Sequence, residues 1–317
     1  MQATRRQAYA ANTHKNLLVQ WRSFIMFCLY YDLECLPAET ETLSLYAQFL
    51  SRSFKTVAAI TNYISGVRLL HLYVGVSPPD LSDFSFKLVL SGLRRVKLHR
   101  VKQAAPMTPK ILLAMYHYIM QDPEGPTIWA LFLVAFYLFL RKSNLVPLTP
   151  RAFDSTKQLC RKDIVVGQDV VLVRIRLSKT IQFGDRVLKL PLLPVPGSVL
   201  CPVSAVKNML NDRPTRWGDQ PAFALLSGGQ YVPITYLRYQ QYLRKFLDLA
   251  GFQSARFSSH SFRRGGATFA FQSGVPSYLV KLQGDWRSDA YTRYLDVSVL
   301  DRAAVFRAMA LNLDNVL

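Results

Sequence analysis

The sequence predicts a mainly α-helical protein with a small β-sheet, built from two domains. Apolar residues recur at helical spacing through most of the chain, two short stretches alternate apolar and polar residues as strands do, and a basic stretch separates an all-helical part from a mixed part. Hydrophobic residues make up 50% of the 317 positions, enough for one large core or two ordinary ones. Disordered and fibrous classes are therefore excluded.

Residues 12–96 have the pattern of a compact all-α domain. Apolar side chains return every three or four positions, and turn signals stand at Pro37 and Pro78. Asn12-Thr13 is predicted to cap the first long helix, and residues 39–42 precede a second one.

A basic stretch marks the predicted domain boundary. The linker is placed at residues 94–106, so that the domains are residues 1–104 and 105–317. We expect its cationic side chains to contact a phosphate backbone; they are Arg94, Arg95, Lys97, Arg100 and Lys102. A nuclear-entry signal has the same composition, so both interpretations stay open.

The second domain mixes helical and strand patterns. The predicted helices lie at about residues 109–121, 126–147, 201–210 and 234–249, with shorter ones from residue 260 onward. Alternation over residues 170–177 and 187–192, on either side of a turn at 182–185, predicts a β-hairpin.

The charge balance predicts a polyanionic partner. The chain has 39 Lys and Arg against 20 Asp and Glu, a net charge of +19. Residues 1–104 carry 13 basic and 6 acidic side chains and residues 105–317 carry 26 and 14, so we expect a polyanion that contacts both domains.

We expect no membrane span and no secretory signal. The longest apolar run, Ile128 to Leu140, is shorter than the ~20 residues that cross a bilayer, and we interpret it as a buried core helix. The first residues lack the charged-then-apolar pattern of a signal peptide. A nuclear location is expected if the source is eukaryotic, and a cytoplasmic one otherwise.

The sequence also lacks the motifs of several common chemistries. There is no phosphate-binding loop, no G-x-S-x-G elbow, no H-E-x-x-H and no acidic cluster for a metal-dependent nuclease. No metal or cofactor is therefore expected. The scattered cysteines are interpreted as reduced packing residues; they are Cys28, Cys35, Cys160 and Cys201.

Two isolated cations are candidates for phosphate chemistry. Arg141 follows the apolar run and is placed to present its planar donor fork to a phosphate, although an arginine pairing with a helix C-terminus has the same pattern. Lys179 lies near the tip of the predicted hairpin, where it either reaches into a groove or stays solvated.

Two clusters near the C-terminal end are more specific. His260 and Arg263 share one face at the start of a helix, and Gly265-Gly266 beside them leaves room for a DNA backbone or another helix. Trp286 offers an indole N–H to a phosphate, and a tyrosine after it becomes a nucleophile only in a cationic site. A surface histidine and aromatic core packing are the plainer interpretations.

Taken in order, six of these residues resemble the R…K…H-x-x-R…H/W…Y set of the tyrosine recombinase, or phage integrase, family. The phrases HSFRRGGAT, GDWRSDAYTRYL and SKTIQFGDR are most similar to recombinases of Crypton and DIRS-type mobile elements, and Cre-type enzymes share the tryptophan. The resemblance implies a SAM-like all-α core-binding domain followed by an α+β catalytic domain. The six are Arg141, Lys179, His260, Arg263, Trp286 and Tyr294.

The resemblance implies metal-free cutting and rejoining of duplex DNA. Tyr294 would attack the scissile phosphate and form a 3′-phosphotyrosyl link, and His260 would act as general base and oxygen ligand. Lys179 would protonate the leaving 5′-oxygen. The non-bridging oxygens would be held by Arg141, Arg263 and Trp286.

Two positions depart from the family pattern. Asn144 stands where the family often has an acidic residue that orients the first arginine. The spacing from Trp286 to Tyr294 is one residue shorter than the commonest one, so Tyr291 remains the second candidate nucleophile.

The leading hypothesis is a site-specific recombinase or integrase from a mobile element. A domesticated, catalytically silent DNA-binding protein and a type IB topoisomerase-like enzyme are the alternatives. The recombinase interpretation implies double-stranded DNA as partner and a homotetramer on paired sites. A C-terminal helix at Val299–Asn312 has an apolar face that would dock on a neighbouring protomer or on its own domain.

Overall fold

The computed structural model describes residues 8–98, 103–182, 184–212, 218–295 and Ala303. The chain divides into two compact units, Met1–Lys102 and Gln103–Leu317, two residues before the boundary placed from the sequence. Arg100 and Lys102 of the predicted linker lie outside the described residues, as does the predicted C-terminal helix apart from Ala303.

The first unit is all α-helical, as the spacing predicts. A single apolar core of side chains from all its helices holds it together, and Phe24, Tyr46 and Ile60 are fully buried there. The helices are α1 (Ala11–Tyr30), α2 (Thr40–Ser53), α3 (Val57–Val74) and α4 (Phe84–Val96).

Two predicted boundaries in this unit are wrong. Helix α1 begins at Ala11 after an Ala10 cap that has no side-chain hydrogen bond, so Asn12 and Thr13 lie inside its first turn. Helix α4 continues to Val96, so Arg94 and Arg95 belong to its last turn and not to a linker. Cations are favourable there because the carbonyl end of a helix carries partial negative charge.

The second unit combines helices with two small antiparallel sheets. Its helices are α5 (Pro109–Met120), α6 (Gly125–Tyr137), α7 (Lys142–Leu145), α8 (Pro202–Asp212), α9 (Tyr236–Leu249), α10 (His260–Gln272) and α11 (Ser277–Gln283). Single 3₁₀ turns lie at Pro150–Ala152, Arg161–Asp163 and Ser254–Arg256, and a longer 3₁₀ helix spans Asp289–Tyr294.

One sheet contains the predicted hairpin. Its strands are β1 (Ile164–Val166), β2 (Val171–Ile175) and β3 (Leu188–Leu192), paired in that order. The sequence predicted β2 and β3 but missed β1, and it also missed the second sheet of β4 (Ala224–Ser227) and β5 (Gln230–Pro233).

Helix α6 forms the centre of the second unit. Its residues from Ile128 to Phe136 are buried on all sides, and the helix packs against α5, α8 and α10. The predicted continuation to residue 147 is wrong, because Phe139 has a left-handed φ of 49° and the chain turns there. Arg141 follows in an extended conformation, as the N-cap of α7.

No helix among the described residues has both the length and the apolar character that a membrane crossing requires. All four cysteines are free; Cys28, Cys160 and Cys201 are buried, and Cys35 is partly so.

Candidate active site

Arg263 lies at the centre of the candidate site and is only 2% exposed. Its Nη1 donates to the carbonyl of Phe139, and its Nη2 donates to the carbonyl of Gly284 at 2.7 Å. The guanidinium carbon lies 3.8 Å from the ring centre of Trp286 and 5.6 Å from that of Tyr294. The backbone and two aromatic rings therefore fix a positive charge inside the fold.

The surroundings of Arg263 act on its charge in both directions. Burial, followed by the positive charge of Arg141, lowers the pKa of Arg263. Tyr294 and Asp285 oppose this shift by favouring the charged form. The guanidinium stays protonated at neutral pH, because its pKa is lowered only to about 9.

Close packing of α10 on the rest of the unit sets the position of Arg263. A Cβ on Gly265 would lie 1.7 Å from the carbonyl oxygen of Met107, and one on Gly266 would lie 2.0 Å from that of Phe136. The sequence analysis predicted that a DNA backbone or another helix lies close to this glycine pair. In the structure the close neighbour is backbone of the protein itself.

The aromatic residues form one cluster against Arg263. The ring of Trp286 lies 5.4 Å from that of Tyr294, 6.2 Å from that of Tyr291 and 6.4 Å from that of Phe139. Residues three apart in a 3₁₀ helix lie on the same side, so both tyrosines reach the tryptophan. Trp286, Tyr291 and Tyr294 therefore do pack in an aromatic core, as the plainer interpretation predicts. By position, both tyrosines remain candidates for the nucleophile.

Two polar groups in this cluster are the indole N–H of Trp286 and the backbone carbonyl of Tyr294. The Trp286 indole N–H is buried and has no hydrogen-bond partner among the described residues. A buried donor is normally paired, so it is suited to an incoming acceptor. The backbone of Tyr294 is fixed by the hydroxyl of Thr268, which donates to its carbonyl at 2.8 Å.

His260 is the first residue of α10, and its side chain is open to solvent on one side. Desolvation by neighbouring atoms, and then the positive charges of Lys142, Arg263 and Arg141, lower the pKa of its imidazole. His260 is therefore neutral at pH 7 and able to accept a proton.

Arg141 keeps its side-chain donors available. Its guanidinium makes no hydrogen bond or ion pair with any residue in the described ranges, and it is partly exposed. Within the described residues no side-chain hydrogen bond joins Asn144 to Arg141; the Asn144 amide instead donates to the carbonyl of Leu177 at 3.0 Å. The interpretation of Arg141 as a helix C-terminal arginine is wrong, since it precedes a helix.

Lys179 is exposed on a tight turn between β2 and β3. Ser178 and Ile181 exchange backbone hydrogen bonds of 3.0 and 3.2 Å across this turn. Asp285, which the sequence analysis missed, accepts hydrogen bonds from the side chains of Ser178 and Thr180. Its place next to Trp286, as an acid within a basic and aromatic segment, was the only sequence signal for it.

The structure thus brings five of the six predicted site residues into one cluster: Arg141, His260, Arg263, Trp286 and Tyr294. The sixth, Lys179, lies on a turn that Asp285 joins to this cluster. No group of three or more His, Cys, Asp or Glu side chains in the described ranges could hold a metal ion. Of the predicted DNA-contacting cations, Arg94 and Arg95 are exposed and Lys97 is partly buried in the first unit.

Comparison with known proteins finds a relative that matches nearly the whole chain. No protein-family model matches the chain. An integrase/recombinase xerD homolog of Selenomonas ruminantium is 24% identical over 311 residues, covering 96% of this chain and 85% of the relative. The chain is thus similar over nearly its whole length to an integrase/recombinase.

Solved structures show that it has the tyrosine recombinase fold. The XerH site-specific recombinase bound to palindromic difH substrate has a TM-score of 0.60 at 16% identity, covering 92% of this chain and 78% of that one. The Tn1549 transposon integrase in complex with circular intermediate DNA has a TM-score of 0.58 at 14% identity, with 96% of both chains covered.

Proposed function

We propose that this protein is a site-specific DNA recombinase that cuts and rejoins duplex DNA through a 3′-phosphotyrosyl intermediate. The observation that carries the proposal is the fixed guanidinium of Arg263, which contacts both Trp286 and Tyr294 while acting electrostatically with Arg141. A buried positive charge beside a phenol stabilises phenolate and the negative charge that develops at phosphorus.

Each side chain has a role that fits its environment. The Tyr294 oxygen attacks phosphorus, the bond to the 5′-oxygen breaks, and His260 takes the phenolic proton. Lys179 gives a proton to the leaving 5′-oxygen. Charge on the non-bridging oxygens is offset by Arg141, whose guanidinium has no partner in the described part of the chain, and by the field of Arg263.

Trp286 completes the phosphate site in this proposal. Its indole N–H, which has no acceptor among the described residues, would donate to one non-bridging oxygen, and this bond removes the cost of a buried donor without an acceptor. Arg263 would add its fixed charge: two of its five N–H groups already donate to carbonyls, and its buried Nε–H has no partner among the described residues.

Double-stranded DNA is the proposed partner, and a mobile element the proposed origin. Both units carry excess positive charge, and the relatives include a recombinase bound to its DNA substrate and a transposon integrase bound to DNA. Joining of exchanged strands requires two duplexes held together, so we propose four protomers on paired sites.

The test is covalent trapping in EDTA. The protein is incubated with a pool of nicked duplexes of random sequence, denatured with SDS, and the DNA-linked peptide is mapped by mass spectrometry. We expect the adduct on Tyr294, its loss with intact DNA binding in Tyr294→Phe, and its retention in Tyr291→Phe.

The other outcomes separate the alternatives. An adduct that disappears only in Tyr291→Phe would reassign the nucleophile. DNA binding without any adduct would favour the catalytically silent protein. Once an adduct is found, the protein is given supercoiled circles that contain the cleaved sequence; relaxation without exchanged strands would favour the topoisomerase-like enzyme.

A further inference from the structure

The carboxylate of Asp285 joins the Lys179 turn to the segment that carries Trp286. Asp285 accepts a hydrogen bond from the hydroxyl of Thr180 and one of 3.2 Å from the hydroxyl of Ser178. These hydroxyls belong to the residues on either side of Lys179. The carboxylate also forms an ion pair with Arg186, beyond the turn.

The turn itself is built around the same hydroxyl groups. The Ser178 oxygen accepts the backbone N–H groups of Thr180 and Ile181, each at 3.1 Å, and lies 2.8 Å from the Thr180 hydroxyl. Because the Ile181 side chain is fully buried, the turn is fixed on that side as well. Lys179 is left as the exposed residue at its apex.

The other side of the contact is equally constrained. Asp285 follows Gly284, whose carbonyl accepts from Arg263, and precedes Trp286. Arg287 reinforces the junction by donating to the carbonyl of Thr180. One short segment therefore contacts both the buried guanidinium and the turn that presents the lysine.

We propose that Asp285 is a positioning residue that holds the Lys179 turn against the phosphate site, so that the lysine ammonium is in place to protonate the leaving 5′-oxygen. This inference rests on the proposed function. It assigns to Asp285 no contact with DNA and no proton transfer of its own.

The electrostatics of the junction fit a permanent link. The Asp285 side chain is 11% exposed, and this burial acts to raise its pKa. The hydrogen bonds from Thr180 and Arg186 outweigh burial and lower the pKa below its ordinary value. The carboxylate is therefore ionised in the neutral range, the form that pairs with Arg186 and accepts from Thr180.

The test compares two substrates in the covalent trapping reaction. One has the natural 5′-bridging oxygen, and in the other sulfur replaces it, giving a leaving group that needs no proton. Asp285→Asn keeps a side chain that tolerates the left-handed φ of 51° at this position and removes the charge. We expect it to cleave the oxygen substrate about 10- to 100-fold more slowly and the sulfur substrate at the rate of the unaltered protein.

Two further variants define the mechanism of the effect. Lys179→Ala combined with Asp285→Asn should be no slower on the oxygen substrate than Lys179→Ala alone, because both changes remove the same proton transfer. Asp289→Asn is the matched control, since Asp289 pairs with Lys281 on the surface and does not contact the turn. We expect its rate to stay within about twofold of the unaltered protein.

Three results would overturn the inference: a normal rate of Asp285→Asn on the oxygen substrate, an equal defect on the sulfur substrate, or additive losses in the double variant. A failure of the proposed function itself is distinguishable, since the unaltered protein would then form no adduct on either substrate. In that case, amide hydrogen exchange still tests whether Asp285 holds the Lys179 turn. Asp285→Asn should increase exchange at residues 178–182 but not in α10.

Discussion

The two arginines of the site differ in what their side chains can still bind. Arg263 is buried, and two of its five N–H groups already donate to carbonyls, so fewer of its donors are available to a phosphate. Arg141 is partly exposed and makes no side-chain hydrogen bond within the described ranges. We therefore propose that Arg141 supplies most of the direct donors to a phosphate and that Arg263 supplies a fixed positive charge.

His260 gives the site a predictable pH dependence. Its pKa is lowered in the folded protein, so the neutral form persists below the ordinary value of about 6.5. We expect single-turnover cleavage to be constant from pH 8 to about 6.5 and to fall only at lower pH, as the imidazole is protonated. His260→Gln should be slower and should lose this acidic limb.

The same shift has a consequence for stability. Because the unfolded chain binds the proton more tightly than the folded one, protonation of His260 lowers the free energy of unfolding as the pH falls through about 6.5.

In the pH profile of cleavage, an acidic limb that stays unchanged in His260→Gln would show that another group is the base.

At the scale of elements, the approach of α10 to the backbone of Met107 fixes the site. We expect Gly265→Ala to reduce the free energy of unfolding by about 3 kcal/mol, because its Cβ has no room and α10 must move. Cleavage should fall as well, since α10 carries His260 and Arg263. Chemical denaturation and adduct formation measure the two effects.

The matched control lies in α4. Gly92 is also helical, but a Cβ there meets nothing within 4 Å. Gly92→Ala should therefore raise stability by about 0.5 to 1 kcal/mol and leave cleavage unchanged. Equal stability of both alanine variants would contradict the close approach at Gly265.

Sequence periodicity predicted the elements that are regular and strongly apolar. The helices of the first unit and the β2–β3 hairpin were found because a single spacing runs through each of them, and the buried helix α6 was found because its apolar run is unbroken. The short strands β1, β4 and β5 were missed, since three or four residues carry too little pattern.

The order of site residues was predictable, but their environments were not. The left-handed turn at Phe139, which ends α6 and places Arg141 in an extended segment, involves a residue type that rarely adopts this conformation. The contacts of Asp285 and of Asn144 join segments far apart in the sequence. Local spacing holds no information about such contacts.

At the scale of the whole molecule, the net charge of +19 is spread over both units. Each lysine or arginine that contacts a DNA phosphate releases counterions, so the affinity falls with salt in proportion to the number of contacts. In the first unit, Arg94 and Arg95 are exposed at the end of α4, with Lys97 directly after it. We propose that these three cations contribute phosphate contacts.

Combined substitution of Arg94, Arg95 and Lys97 by alanine tests this contribution. If all three contact phosphates, the slope of log affinity against log salt should become shallower by about 2 to 3, at about 0.9 per contact. Fluorescence anisotropy with duplex DNA over a series of salt concentrations measures the slope. Lys157→Ala is the control, because Lys157 is paired with Asp154. An unchanged slope in the triple variant would remove these cations from the DNA interface and leave the positive charge elsewhere in the molecule to account for binding.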